Sequence, residues 1–338
     1  MEIGIFLDRI CKTTIKLSFG KSLKNRRIVY SEENFPHHSD QSANLITTDG
    51  SELLIENLDP KKRLFFTIQT RESGWVELAE KRILLEGAVN FRDMGGYRNI
   101  KQEVIKWGTL FRADSLHRLS DDDLKILSSL NLKTVIDFRS EKEVKKSPDR
   151  LPEDPSIKYV HLPIKSGEFD FSTAMQLLAN QDSQWPTGDF MVKNYESYLN
   201  QFSIIWKQVF VLLADSNNYP LVFHCTAGKD RTGACAALIM LLLKIPVEEI
   251  ILDHQLSNKY IASIVESLKL SFKDLGEQYN KLDPFLTAPL NAINRFLKLL
   301  EVKYGTVESF LIKKVGLNPD LLKKIRENLL KPTDQTKA

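Results

Sequence analysis

Cys225 and Arg231 stand with five residues between them in the stretch HCTAGKDRTG, and they are the pair in this chain whose types and spacing best suit chemistry. A cysteine that has lost its proton is a strong nucleophile, and a planar guanidinium can bind two oxygens of one tetrahedral anion. Five intervening residues are enough to wrap a phosphate with backbone amides while both terminal side chains converge on it. The spacing therefore points to attack of sulfur on a phosphoryl group. Arg231 would follow the phosphoryl oxygens as they become equatorial in the transition state.

The residues between and beside the pair each have a physical reason. Thr226, Ala227, Gly228, Lys229, Thr232 and Gly233 form the expected phosphate-binding loop, with Gly228 and Gly233 allowing close backbone approach and unusual dihedrals. Thr232 can donate its hydroxyl to sulfur when the cysteine leaves as thiolate, and His224 is expected to orient the loop by hydrogen bonds. Lys229 adds a second positive charge, which favours ligands with several phosphates unless the side chain turns to water. Arginine and amides do here what metal ions do elsewhere, so no metal or other cofactor is expected.

Departure of an alcohol needs an acid, and the following hydrolysis needs a base. Asp230, inside the loop, is the first candidate for both, followed by Asp137 at the end of TVIDF and then Asp189. For Asp137 a structural role, holding loops or an arginine, competes with proton transfer, and the same holds for Asp93 and Arg112. Cys11 and Cys235 read as inert packing, and His37 and His38 as part of a solvated turn rather than a metal site.

The elements that must position these groups are legible on either side. Apolar Tyr219 to Phe223 forms a buried strand, and a helix opens at Gly233, so the polar loop is a strand-to-helix turn aimed at an anion. Upstream, Ser120 caps a helix whose apolar positions are Leu124, Ile126, Leu127 and Leu130, and KTVIDFRS and KYVHLPI follow as strands. From Phe190 to Leu213 apolar residues recur at helical spacing, and from Val247 onward the chain reads as helical. The expected architecture is α/β, with a central, mostly parallel sheet flanked by helices. Residues 1–85 differ: short β-prone runs such as TIKLSF, RRIVYSE and RLFFTIQT, punctuated by turn residues, read as a small all-β sandwich. Residues 86–331 form the expected catalytic domain, and 332–338 a polar tail.

With 338 residues, two domains are the natural expectation, and 42% hydrophobic with 27% charged residues places the chain among globular proteins. A net charge of +3 gives no reason to expect nucleic acid as a partner. Charges interrupt the opening MEIGIFLDRICK before a signal core or membrane span could form. Three cysteines, an odd and sparse set, fit a reducing compartment, so the cytoplasm is expected and export without a cleavable signal stays open.

The loop, read as HC followed by five residues and RTG, resembles the signature of cysteine-dependent tyrosine phosphatases. In the version HCTAGKDRTG it is similar to their bacterial atypical branch, which includes broad-specificity tyrosine and phosphoinositide phosphatases. GAVNFRDMGGY at 87–97, WGTLFRADSLHRLSDDDL at 107–124, TVIDFRSEKE at 134–143 and KYGTVESFLIKKVGL at 303–317 extend the resemblance over roughly residues 85 to 330. It implies the tyrosine phosphatase fold, a phosphocysteine intermediate, and phosphorylated proteins or phosphoinositides as substrates. Related larger phosphatases carry an acid on a Trp-Pro-Asp loop, whereas here Trp185-Pro186 is followed by Thr187-Gly188-Asp189, which favours Asp230. The resemblance also suggests that residues 254–290 cover the loop, against ordinary helix packing. The rival readings are a phosphate-binding module without turnover and a rhodanese-like or arsenate-reductase-like cysteine enzyme. No partner for the β domain can be named.

Overall fold

The computed structural model describes residues 5–19, 26–33, 35–37, 39–40, 43–48, 50–69, 74–165, 171–179 and 190–332. His38, Asp189 with its Trp185-Pro186 neighbours, and all but the first residue of the polar tail lie outside these.

The N-terminal strands form two antiparallel sheets. One has three strands in the order β1 (Ile5–Cys11), β2 (Thr14–Phe19), β5 (Glu52–Ile55), and the other four in the order β4 (Asn44–Thr48), β3 (Arg26–Ser31), β6 (Phe65–Gln69), β7 (Trp75–Ala79). Strict alternation in β2 buries Ile15, Leu17 and Phe19, which cluster with Ile55 and with Ile28, Phe66 and Ile68 of the second sheet. Two sheets sharing one apolar layer make the anticipated sandwich. Two details differ from the sequence reading. β1 was not foreseen, because two charges interrupt its apolar residues; Ile5 to Arg9 nonetheless pair residue by residue with β2. The run WVELAEKRILLE stops being strand at Ala79, beyond which only an isolated bridge joins Arg82 to Arg92.

A third, five-stranded sheet carries the candidate site. Its order is β12 (Lys158–His161), β11 (Thr134–Asp137), β13 (Leu221–His224), β10 (Leu110–Ala113), β8 (Arg92–Asp93). All pairings are parallel except that of β8 with β10. β13 is central, and all four of its residues are buried, as a strand covered on both faces requires. Leu221 and Phe223, with Ile136 and Leu110, pack on one face, while Val222, with Val135 and Phe111, packs on the other.

The second face is covered by α1 (Asp121–Ser129), whose capping box joins Ser120 and Asp123 as expected. After it comes the short α2 (Glu141–Lys146), and beyond β12 lies α3 (Phe171–Ala179). The expected helix from Phe190 to Leu213 is two helices, α4 (Phe190–Asn200) and α5 (Ser203–Ala214), locked at their corner by Trp206 Nε1 donating to Tyr198 O at 2.6 Å. They pack on the first face with α6 (Arg231–Leu242) and with α9 (Leu290–Tyr304), α10 (Val307–Ser309) and α11 (Pro319–Leu329). α6 is buried at every position but one. Between α6 and α9 run α7 (Val247–Ser271), a 3₁₀ segment (Lys273–Leu282) and α8 (Asp283–Leu286). A short pairing of β9 (Val104–Ile105) with β14 (Leu330–Lys331) returns the C-terminal end to the sheet. No helix among the described residues is long and apolar enough to cross a membrane.

The two layers meet through ion pairs. Arg63 Nη2 lies 2.7 Å from Oδ2 of the buried Asp93, Lys259 Nζ lies 2.8 Å from Asp8 Oδ2, and Lys331 pairs with Glu77.

Candidate active site

β13 delivers Cys225 to the C-terminal end of the parallel strands, where a ligand crevice is expected in an open α/β sheet. The following helix starts at Arg231, not Gly233, so Arg231 and Thr232 belong to its first turn and Asp230 is its N-cap residue. This correction matters electrostatically: the free amides of α6 begin inside the loop, beside Cys225.

Three consecutive loop carbonyls are tied from outside. Ser115 N–H donates to Thr226 O at 3.1 Å, Asn90 Nδ2 to Ala227 O at 2.9 Å, and Arg112 Nη2 to Gly228 O at 2.8 Å. Carbonyls drawn outward leave the loop's amides to face its interior, the arrangement that an anion needs. Asn90 is fixed in turn by Asp114, which accepts from the Val89 and Asn90 amides at 3.0 Å each. Burial pushes Asp114 up to about 6 despite these donors. Gly228 sits at φ +67°, and a Cβ there would lie 2.5 Å from Ala113 O. At Gly233 a Cβ would lie 2.9 Å from His254 Cδ2.

Cys225 is buried, and Thr232 Oγ1 is a buried hydroxyl with no hydrogen-bond partner. Arg231 Nη1 and Nη2 donate to the two oxygens of Glu143 at 2.9 and 3.0 Å, and Nη2 also reaches Thr226 Oγ1 at 3.0 Å. Burial alone would lower the guanidinium's affinity for its proton, but Cys225 and Glu143 together raise it above the ordinary arginine value. Glu143 is held well below the carboxylate range: burial opposes ionisation, and Arg231 and Thr226 outweigh it.

Asp230 accepts from Tyr195 Oη at 3.0 Å through Oδ1 and from Lys229 Nζ at 2.6 Å through Oδ2. The Lys229 side chain is only 3% exposed, which overturns the reading of a lysine turned to water. Its ammonium sits on Asp230.

Asp137 is buried among donors. Arg139 donates to it at 2.7 to 3.0 Å, and Tyr159 Oη donates at 2.7 Å. His224 Nε2 lies 2.9 Å from Asp149 Oδ2, out of line for a hydrogen bond, and its Nδ1 is 3.4 Å from Cys225 O. Asp137, Asp149 and His224 come close enough to hold a metal ion, but Arg139 already bridges both carboxylates at 2.7 Å. Asp93 is not at the loop. It accepts from the Gly95 and Gly108 amides at 2.7 Å each and from Arg63, so it braces the junction with the β sandwich.

The sequence reading missed Glu143, Asn90, Ser115, Tyr195 and His254 as individual residues. The first three lay inside blocks quoted for the resemblance. The last had a signal of its own: the buried stripe of α7 is Ile250, Asp253, His254, Ser257 and Ile261, with polar residues where helical periodicity asks for apolar ones.

A parallel sheet that presents a cysteine in an amide-lined loop closed by an arginine defines the class of cysteine-dependent phosphatases. Residues 83–331 match the model of the tyrosine phosphatase family, and the chain belongs to that family. A Cupriavidus necator protein described as a tyrosine-protein phosphatase is 27% identical over 225 residues, covering 66% of this chain and 80% of that one. The tyrosine-protein phosphatase of Nostoc commune is 33% identical over 150 residues, 44% of this chain and 48% of that one. The triple specificity protein phosphatase PtpB of Mycobacterium tuberculosis is 30% identical over 200 residues, 53% of this chain and 70% of that one.

Proposed function

We propose that this chain hydrolyses phosphotyrosine-type and phosphoinositide-type monoesters through a phosphocysteine at Cys225. Sγ attacks phosphorus, the ester P–O bond breaks, and Asp230 gives its proton to the departing oxygen. Asp230 then takes a proton from water as the water oxygen attacks phosphorus. The P–S bond breaks, inorganic phosphate leaves, and Thr232 Oγ1 donates to the returning thiolate. Arg231 and the loop amides bind the phosphoryl oxygens throughout.

The observation that carries this reading is the loop itself, with carbonyls 226–228 tied outward around Cys225 and Arg231. Turnover is favoured over a silent binding module because nucleophile, arginine, carboxylate and an unpartnered Thr232 hydroxyl occur together. The triple specificity in the name of the mycobacterial relative supports breadth of substrate. For an inositide, Lys229 would have to share its charge between Asp230 and a second phosphate. The division into residues 1–85 and 86–331 is supported by the separate apolar cluster of the sandwich, and three free cysteines fit a cytoplasmic location.

The test is phosphate release from phosphotyrosine peptides and soluble phosphoinositides by the wild type and Cys225→Ser. The wild type should turn over both classes. The variant should lose turnover and still bind tungstate, because amides and Arg231 remain. Wild-type rates in Cys225→Ser would overturn the mechanism, and release from peptides alone would restrict the substrate to phosphotyrosine.

A further inference from the structure

Tyr195 joins the candidate catalytic carboxylate to a part of the chain far from the loop. Its hydroxyl contacts Asp230 Oδ1 at 3.0 Å and His254 Nε2 at 2.7 Å. One hydroxyl has one proton, so the direction of each bond has to be worked out. Gln255 fixes it. The Gln255 Nε2 donates to the backbone carbonyl of Ala288 at 3.1 Å, and its Oε1 accepts from Asn258 Nδ2 at 3.0 Å, which sets the orientation of the amide. That same Nε2 lies 3.0 Å from His254 Nδ1 and donates to it. Nδ1 is therefore the acceptor, the imidazole proton is on Nε2, and Nε2–H donates to Tyr195 Oη. Tyr195 is left to donate to Asp230.

The groups in this chain have the protonation states it needs. His254 is pushed down to about 3 by burial first and then by Arg112 and Lys229, so it is neutral at working pH. Tyr195 is raised well above the ordinary tyrosine value by burial and by Asp230, so it keeps its proton. The ring of Tyr195 cannot easily rotate away, being packed against Tyr198, His254 and Phe296 with centroids 5.3, 5.9 and 6.2 Å distant.

The far end of the chain is anchored on backbone. Ala288 N–H donates to Asn258 Oδ1 at 2.6 Å, and Ala288 O receives Gln255. Ala288 follows a small apolar cluster of its own, in which Leu282 and Leu286 meet Ala174 and Leu178 of α3, separate from the main core. A unit with few apolar contacts to the rest opens more easily than the core it rests on.

We infer that Tyr195 is the positioning residue for Asp230, fixed through His254, Gln255 and Asn258 by the backbone at Ala288, so that seating of the 254–290 segment sets the geometry of proton transfer. The inference rests on the assignment of Asp230 as acid and base. With Oδ1 held by Tyr195, Oδ2 is the oxygen that exchanges the proton, and Lys229 is its counter-cation.

The test compares kcat/KM on aryl phosphates of rising leaving-group pKa, from 4-nitrophenyl to phenyl phosphate, because kcat/KM reports transfer to Cys225 alone. Tyr195→Phe should lose about tenfold or more on phenyl phosphate and under about threefold on 4-nitrophenyl phosphate, with the thermal melt recorded alongside to confirm folding. Combining it with Asp230→Asn should add no further loss. His254→Gln, whose amide can still donate, should keep most of the phenyl phosphate activity, and His254→Phe should copy Tyr195→Phe. Equal losses across leaving groups in Tyr195→Phe, or losses that multiply in the double variant, would overturn the inference while leaving Asp230 in place. Absence of leaving-group bias in Asp230→Asn alone would overturn the assignment of Asp230 and this inference with it.

Discussion

Glu143 and Arg231 are joined end to end: both carboxylate oxygens meet the two terminal nitrogens of the guanidinium, at 2.9 and 3.0 Å. This contact uses Nη1 and Nη2 and leaves Nε outside it, so the arginine is already aimed before a phosphate arrives. Glu143 is itself held by the Ser140 amide at 2.7 Å as half of a capping box on α2. A pre-aimed fork loses less freedom on binding.

Removing that aim should weaken anion binding. Glu143→Ala is expected to raise the tungstate dissociation constant about tenfold, or roughly 1.4 kcal/mol, with a parallel loss in kcat/KM. Calorimetric titration of tungstate into both proteins checks this. Unchanged affinity would show that the helix alone positions Arg231.

Backbone strain makes a sharper demand at Gly228. A side chain there would have to adopt φ near +67° and push against Ala113 O at 2.5 Å. Gly228→Ala should therefore shift the loop and lower kcat/KM by about a hundredfold or more, with the fold kept by the surrounding sheet. Gly233→Ala meets only the edge of the His254 ring at 2.9 Å, and its loss should be smaller. Steady-state kinetics on 4-nitrophenyl phosphate ranks the two.

His254 predicts a direction of pH dependence. Its pKa in the folded protein, about 3, lies below the ordinary 6.5, so the unfolded chain takes up a proton that the folded one refuses. The contribution to stability is complete above about pH 6.5 and is lost as pH falls toward 3, a change on the order of 5 kcal/mol at full extent. Asp114 opposes it: its folded value of about 6 exceeds the ordinary 3.8, so stability from that group is lost as pH rises between them. Urea unfolding between pH 4 and 7 should show a flatter pH dependence of the His254 contribution in His254→Gln, and a steeper acid loss in Asp114→Asn.

The junction between the sandwich and the phosphatase sheet depends on Arg63. Asp93 is fully buried, and without Arg63 its carboxylate would keep only the two glycine amides. Arg63→Ala is expected to cost about 3 kcal/mol, the scale for breaking a buried pair, while leaving kcat on 4-nitrophenyl phosphate near wild type. Calorimetry and limited proteolysis around residues 80–86 test this. A large loss of kcat would instead link the sandwich to the loop.

The amino-acid sequence by itself marked the candidate nucleophile, the arginine and the loop between them, because these depend on neighbours in the chain. A five-residue span, glycine where a Cβ has no room, and an apolar strand leading into an apolar helix are local properties. Alternation in the N-terminal runs likewise marked a sandwich, apart from β1. Tertiary structure alone decided what holds the loop. Arg112 and Ser115 reach their carbonyls only because β10 lies beside β13, Asn90 because β8 lies beside β10, and Glu143 meets Arg231 only because β11 lies on the other side of β13. Lys229 looked like a free cation in sequence, and the fold placed it on Asp230, because burial leaves an ammonium no solvent and the adjacent carboxylate is its nearest partner. Tyr195 and His254 carry no local pattern that connects them to Asp230. Hydrogen bonds between distant segments follow from strand order and helix packing, and a linear spacing rule cannot encode them.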